Sequence, residues 1–350
     1  MKARVSVAVV VVAGLFTACA REQPRGVTVL TYASQYSPAH PFSRADIAWM
    51  QWIAARSAGH LLIQPYWSGS VLSSEHSMSE IRHGVVDVGL ITPIYARGGA
   101  HLIHVQAAFY AGLTTFSQQV ALYRCMERVD PQFSRELAGL RVLAVQGGNL
   151  PGIVTRNRAV HTLDDLQGLR LRAPAELLEV LRRFGADPVD MPMGEVYSAL
   201  AKGVLDGVVA PADTLRSLHF AEVAHYFYTI SVPRGAYAAR AIGLPRWSTL
   251  SDGERAILDE SVAVWERELD QQLRRAQLAG EAAGHENHMV FTTPSDADKR
   301  RFLEVYNEVA ERNARLAARF QIDGLRLYRY AQTVVARAGN GTVECTGERE

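Results

Sequence analysis

Past its first twenty residues this chain has no apolar run long enough to cross a bilayer core, which takes about 20 consecutive apolar residues. It has no surplus of one charge either: 37 Lys and Arg stand against 36 Asp and Glu, a formal net charge of +1. A nucleic-acid partner needs a basic excess to neutralise its phosphates, so that class is excluded. No glycine-rich loop ends in Gly-Lys-Ser or Gly-Lys-Thr; Gly147-Gly148-Asn149-Leu150-Pro151-Gly152 lacks both the lysine and the hydroxyl. No serine sits between spaced glycines as a nucleophile elbow. His101 and His104, like His285 and His288, miss the i, i+4 spacing of a zinc-protease helix and read as surface histidines. Neither a metal nor a cofactor is expected, and the chain reads as a binder rather than an enzyme.

What is present begins at the N-terminus. Lys2 and Arg4 precede an apolar run from Val5 to Phe16, and small residues lead to Cys19. A basic start, a short apolar middle and a small-residue break make an export signal over residues 1–19. Phe16-Thr17-Ala18-Cys19 also resembles a bacterial lipobox, in which the cysteine is lipidated and becomes the new first residue. The expected location is therefore extracytoplasmic, with a lipid anchor through Cys19; since leucine is usual where this chain has Phe16, plain cleavage near here or a retained anchor is the alternative. Two cysteines remain, Cys125 and Cys345. An oxidising compartment permits them to pair. The alternative is a buried apolar Cys125 and a Cys345 left on a polar tail.

The length, 350 residues, suits two lobes of about 150 residues each. After a polar linker (20–26), strand and helix patterns alternate: strands at 27–32, 61–66 and 85–91, helices at 44–56 and 74–83. Ala45, Trp49, Trp52 and Ile53 share one face of the first helix. The pattern restarts at 141–146 and runs through strands at 169–173, 187–191 and 205–210. Alternation of this kind predicts βαβ units, mainly parallel sheets and ligands held at the strands' carboxyl ends. Ser79–Asp87 and Ser198–Asp206 share one plan, a helix closed by a basic residue and a glycine before a strand. Ser251 with Glu254 forms a capping-box signature. Ile257, Ser261, Trp265, Leu269 and Leu273 then keep helical spacing to about residue 283, long enough to lie across both lobes. Two further helices, 296–320 and 325–338, precede a tail expected to be disordered from 339 to 350. The expected fold is α/β and two-lobed, of the periplasmic-binding-protein kind. Lobe I takes 27–149 with about 236–276, and lobe II takes 150–235 with about 277–338.

One stretch carries chemistry. Leu169-Arg170-Leu171-Arg172-Ala173-Pro174 ends a strand with an arginine just before a proline-opened helix. Arg172 lies nearest the strand's carboxyl end, and its planar guanidinium fits a carboxylate through two parallel hydrogen bonds. Together with Glu195-Val196-Tyr197-Ser198-Ala199-Leu200-Ala201-Lys202-Gly203-Val204-Leu205-Asp206-Gly207, this stretch resembles the signature of TRAP-transporter solute-binding proteins (DctP-like). The early Pro38, His40-Pro41, Gly69, Leu72, Gly84 and Asp87 agree, and the similarity runs from about 27 to 320. The resemblance implies two lobes closing on an organic acid, with Arg172 gripping its carboxylate. It also implies delivery to small and large membrane subunits driven by an ion gradient. Many members carry a second arginine where this chain has Gly152, and an Asn where it has Ala210. The expected ligand is therefore a small carboxylate with a more apolar remainder, and Arg156 or Arg158 is a candidate replacement. Strand-end positions add Ser34, Gln35, Thr92, Tyr95, Asn149, Met193, Ala210 and Asp213 as candidate lining residues. The competing reading is a lipoprotein sensor or presenter with the same fold and no transporter.

Overall fold

The computed structural model describes residues 26–339 and 341–346. The expected signal segment and Cys19 lie outside the described residues. Strand β1 (Thr28–Ala33) leads into helix α1 (Pro41–Arg56), then β2 (Leu61–Tyr66), α2 (Ser77–Arg82) and β3 (Val88–Leu90). Three helices follow, α3 (His101–Gln106), α4 (Phe116–Val129) and α5 (Gln132–Glu136), before β4 (Leu140–Gln146). The chain then crosses to a second sheet through β5 (Gly152–Thr155), β6 (Arg170–Arg172), α6 (Leu178–Arg183), β7 (Asp187–Val189), α7 (Val196–Ala201) and β8 (Gly207–Ala210). Helix α8 (Asp213–Ser217) and β9 (Tyr226–Tyr228) complete that passage. β10 (Tyr237–Gly243) returns to the first sheet, followed by α9 (Leu244–Ser248) and α10 (Asp252–Glu286). β11 (Val290–Thr292), α11 (Asp296–Leu316) and α12 (Gly324–Ala338) close the chain.

The first sheet is ordered β2-β1-β3-β10-β4 and the second β11-β9-β5-β8-β6-β7. Both are mixed rather than mainly parallel as expected. β10 runs antiparallel to β3 and β4, and β5 runs antiparallel to β8 and β9. The reason is the crossing itself: β5 and β10 each enter a sheet from the other one, so they arrive against the direction of the βαβ units. The pairs within those units, β1 with β2 and β3, and β6 with β7 and β8, are parallel. Their carboxyl ends therefore point into the space between the sheets, where a ligand sits in folds of this class.

α10 is the long helix expected from its spacing. Its 35 residues make a rod of about 50 Å. Ser251 caps it, accepting from the Glu254 amide, while the Glu254 carboxylate accepts from the Ser251 amide at 2.7 Å. Its buried face, with Ser261, Trp265, Leu269 and Leu273, packs on α1 and β4 at one end and on α8 at the other. Gly280 permits the second contact, because a Cβ there would lie 2.0 Å from the Ala212 carbonyl oxygen. The Trp49 indole N–H donates to Ser261 Oγ at 2.7 Å, so the buried indole's polar atom is satisfied within the largely apolar contact between α1 and α10.

The expected tail departs from expectation. Cys125 of α4 and Cys345 form a disulfide, with Cα atoms 5.0 Å apart, that closes a separation of 220 residues. Val343 is buried and Gly341 O accepts from Gln118 Nε2 at 2.8 Å, so the segment is held as far as the described residues go. A cross-link over so long a loop stabilises a fold by about 2–4 kcal/mol. α12 packs on α11, which in turn meets α6 of the second-sheet half, and also on α3 and α4 of the first-sheet half. The disulfide anchors the chain beyond it to that same half.

Candidate functional site

A cavity of about 90 Å³ lies where the carboxyl ends of β1, β3, β6 and β8 converge. Tyr36 and Phe42, following β1, and Ile94 and Tyr95, following β3, wall it from the first sheet, with Tyr237 of β10 beside them. Arg172, Glu176, Met193, Val209 and Pro211 wall it from the second. Arg234 and its neighbours, on the segment joining β9 to β10, complete the wall. A wider hollow of about 420 Å³ beside β4 has arginines too, but its Arg124 and Arg141 already pair with Glu266 and Asp259.

Arg172 ends β6 and is 2% exposed. Strand alternation turns Leu171 into the core, while Pro174 ends the strand and frees the guanidinium to face the gap. Its Nε donates to Met191 O at 2.9 Å and its Nη2 to the Tyr95 hydroxyl at 2.9 Å. The second bond joins one sheet's wall to the other's. The cation also lies 6.0 Å from the Tyr95 ring centre.

Among the described residues no carboxylate pairs with Arg172. Among the described residues two arginines are buried. Arg240 is 0% exposed and bound through two nitrogens to Asp46, at 2.7 and 3.0 Å. Arg172 has no such partner. A buried cation without a counter-charge is costly, by several kcal/mol for the ion, and an anion from outside relieves that cost.

Residues 32–315 match the family model described as bacterial extracellular solute-binding protein, family 7 (DctP). The chain belongs to that family. The resemblance drawn from its motifs therefore holds, and DctP-family proteins are binders, not enzymes. A solute-binding protein of Chromohalobacter salexigens is 24% identical over 296 residues, which is 80% of this chain and 79% of that protein. The match spans about a third to a half of the length of several other curated relatives. Two solved structures share the fold. One is a TRAP solute-binding protein of Rhodoferax ferrireducens with copurified benzoate (TM-score 0.80, 20% identity, 89% of this chain and 98% of that one). The other is a TRAP periplasmic binding protein of Bordetella bronchiseptica with bound mandelate (TM-score 0.77, 21% identity, 89% and 99%).

In this DctP-family chain the structure brings three of the expected site residues to the cavity: Arg172, Tyr95 and Met193. The others lie outside it. Ser34 Oγ accepts from the Tyr36 amide at 3.3 Å and so sets the turn that presents Tyr36. Gln35 donates to Ser73 O and Leu90 O, and Thr92 to Ser74 O, tying down the loops after β1 and β3. Ala210 is fully buried, and its neighbours Val209 and Pro211 face the cavity instead. Asn149 donates to Asp213 Oδ1 at 2.9 Å and to Leu273 O at 3.0 Å, and its carbonyl accepts from Arg234 Nη1 at 3.2 Å. It thereby joins both crossing segments to α10. Asp213 opens on a separate groove with Arg44, Arg216 and Arg275.

A side chain at Gly152, where the resemblance implied an arginine in many relatives, is excluded by geometry. A Cβ there would lie 2.5 Å from Tyr228 O and 2.7 Å from the Phe227 ring. The two candidate replacements turn elsewhere: Arg158 donates to Gln167 O at 3.0 Å, and Arg156 packs at the Gly203 turn. Tyr36, Phe42, Tyr237, Glu176 and Arg234 were not read from the sequence. All but Tyr237 lie in turns or helix starts, where no period marks a side chain's direction.

The enclosure shows in the acid–base behaviour of the lining. Burial pushes the Tyr36 hydroxyl well above its ordinary range and Tyr237 up to about 12. Burial also pushes His40, stacked 4.0 Å from Tyr36, down to about 3, so it is neutral and its Nδ1 accepts from the Phe42 amide. Glu176 is pushed up to about 7, again chiefly by burial; Asp190 adds to the rise while Arg172 and Arg234 oppose it. An acid bound beside Glu176 favours its protonated form, since two carboxylates in one enclosure repel. Affinity for a small carboxylate should therefore fall as pH rises from about 6 to about 8, with proton uptake on binding. Titration calorimetry of Glu176→Gln should give a flat profile over that range. A wild-type profile equally flat contradicts this placement of Glu176.

Proposed function

We propose that the protein captures a small, partly apolar monocarboxylate between its two sheets and passes it to the small and large membrane subunits of a TRAP-type transporter. The observation that carries this is the buried Arg172 guanidinium without a carboxylate partner, facing a cavity whose other walls are largely aromatic and aliphatic. At about 90 Å³ the space is smaller than the apolar cavity of about 150 Å³ that accommodates benzene, so it favours a compact acid of at most one ring or one short branched chain, for which the walls must part a little. The benzoate and mandelate bound in two proteins of this fold are acids of that build. Export through residues 1–19 and lipidation of Cys19 belong to the same reading, because a binder serving a membrane partner gains from being held near it.

Closing the sheets on the ligand removes water from the ion pair and strengthens it. The charge of the ligand is therefore the variable to test. Purified protein, freed of copurified solute, would be titrated calorimetrically with benzoate, mandelate and a branched 2-oxoacid, each beside its own amide. At least one acid should bind, and its amide should bind at least about tenfold more weakly. Equal binding of acid and amide, or no binding by any acid, would overturn the proposal.

A further inference from the structure

Arg234 is the second cation in the cavity, and nothing in the motifs pointed to it. It sits on the segment between β9 and β10, in the run Pro233-Arg234-Gly235, all three residues of which line the cavity. Its guanidinium folds flat over Gly148: a Cβ there would lie 2.4 Å from Arg234 Cζ and 2.6 Å from Nη1. Gly148 is itself fixed by Gln119, which donates to its carbonyl at 3.1 Å and accepts from its amide at 2.8 Å. Gly235 is constrained as well, since a Cβ would meet Ala107 O at 2.6 Å. Glycines on the two crossing segments thus hold one arginine side chain against the cavity.

The side chain is underused by the protein. Its one hydrogen bond among the described residues runs from Nη1 to Asn149 O at 3.2 Å, and it forms no ion pair there. Arg172 and Arg234 both act on the Tyr36 hydroxyl and the Glu176 carboxyl, so the two cations look onto the same space. Two positive charges in one small enclosure repel unless an anion lies between them. Glu176, protonated about half the time near neutrality, supplies only part of that charge.

Given that the cavity holds a carboxylate, we infer that Arg234 is its second anchor. The ligand's carboxylate bridges Arg172 from β6 and Arg234 from the crossing segment, and its apolar remainder lies among Tyr36, Phe42 and Tyr237. The cation that β5 has no room for at Gly152 is supplied from the opposite crossing.

Gly148→Ala tests this without touching either arginine. Its backbone does not require glycine's left-handed conformation, and the atoms it would strike are the far end of a flexible side chain. The variant should fold normally while displacing the guanidinium. Full-chain wild type, Gly148→Ala, Arg234→Gln and Arg234→Lys would be titrated with benzoate and benzamide, and with mandelate and mandelamide. Gly148→Ala and Arg234→Gln should lower acid affinity about tenfold and shrink the acid-over-amide preference, with Arg234→Lys retaining part of both. If both variants weaken acid and amide alike, Arg234 acts only through its Asn149 contact and the inference fails. It also fails if Arg234→Gln binds acid like wild type. Either failure leaves the proposed function standing provided wild type still prefers acid to amide; a wild type with no such preference removes the reading on which the inference rests.

Discussion

Asp46→Ala should lower the melting temperature by about 5–15 °C. Asp46 is 0% exposed and accepts four hydrogen bonds. Oδ1 takes Arg240 Nε and the Trp265 indole N–H, each at 2.7 Å; Oδ2 takes Arg240 Nη2 at 3.0 Å and the Tyr32 hydroxyl at 2.6 Å. Removing the carboxylate leaves a fully buried guanidinium uncompensated, at about 3–5 kcal/mol. The cost arises from the broken pair rather than from any great net worth of the intact one. Asp46→Ala with Arg240→Met should therefore be more stable than Asp46→Ala alone. Thermal unfolding followed by circular dichroism measures both. A single variant within about 2 °C of wild type would show that water or a rearranged side chain reaches Arg240.

This network also bears on the site. Arg240 Nη1 donates to Gln146 Oε1 at 3.2 Å, and Gln146 Nε2 to the Tyr237 hydroxyl at 2.8 Å. Tyr237 is a wall of the cavity. The pair that fastens α1 and α10 to β10 thus also fixes one aromatic face toward the ligand.

What could be read from the sequence follows from how far its signals reach. The long helix was legible because spacing and cap are local: Ser251, Glu254 and the row from Ser261 to Leu273 lie on one element. The position of Arg172 at a strand end was legible from strand alternation and Pro174, but that spacing fits a surface salt bridge as well, and a ligand role for it came from the family resemblance. The Asp46–Arg240 pair was not, because 194 residues separate its members and each alone reads as a surface charge. Gln35, Thr92 and Asn149 stand where ligand contacts are expected, yet they satisfy loop backbone and neighbouring side chains. Short polar side chains at strand ends do either, and composition does not distinguish the two. Arg234 was hidden in an aperiodic crossing, and the mixed sheets followed from the crossings themselves. The disulfide was left open because its two cysteines are far apart in sequence and only folding brings their Cα atoms within reach.

Arg172→Ala should weaken binding of a small carboxylate by about 10- to 100-fold, or about 1.5–3 kcal/mol, the range for hydrogen bonds to charged groups. The fold should survive. The residues left behind, Met191 and Tyr95, are half-buried rather than in the core, so neither polar group is stranded there. Arg172→Lys should recover little, since a compact ammonium cannot keep Met191 O and Tyr95 while presenting a planar fork to an acid. Loss of Arg172 should also remove the bridge between the two walls, so the empty variant should close less readily.

The most direct measurement is calorimetric titration of wild type, Arg172→Ala and Arg172→Lys with the tightest-binding acid and its amide, at unchanged melting temperature. Both variants should lose acid affinity by at least about tenfold while their weak amide binding stays as it was. Acid affinity equal to wild type in Arg172→Ala would mean that the buried, unpaired guanidinium is not what recognises the ligand.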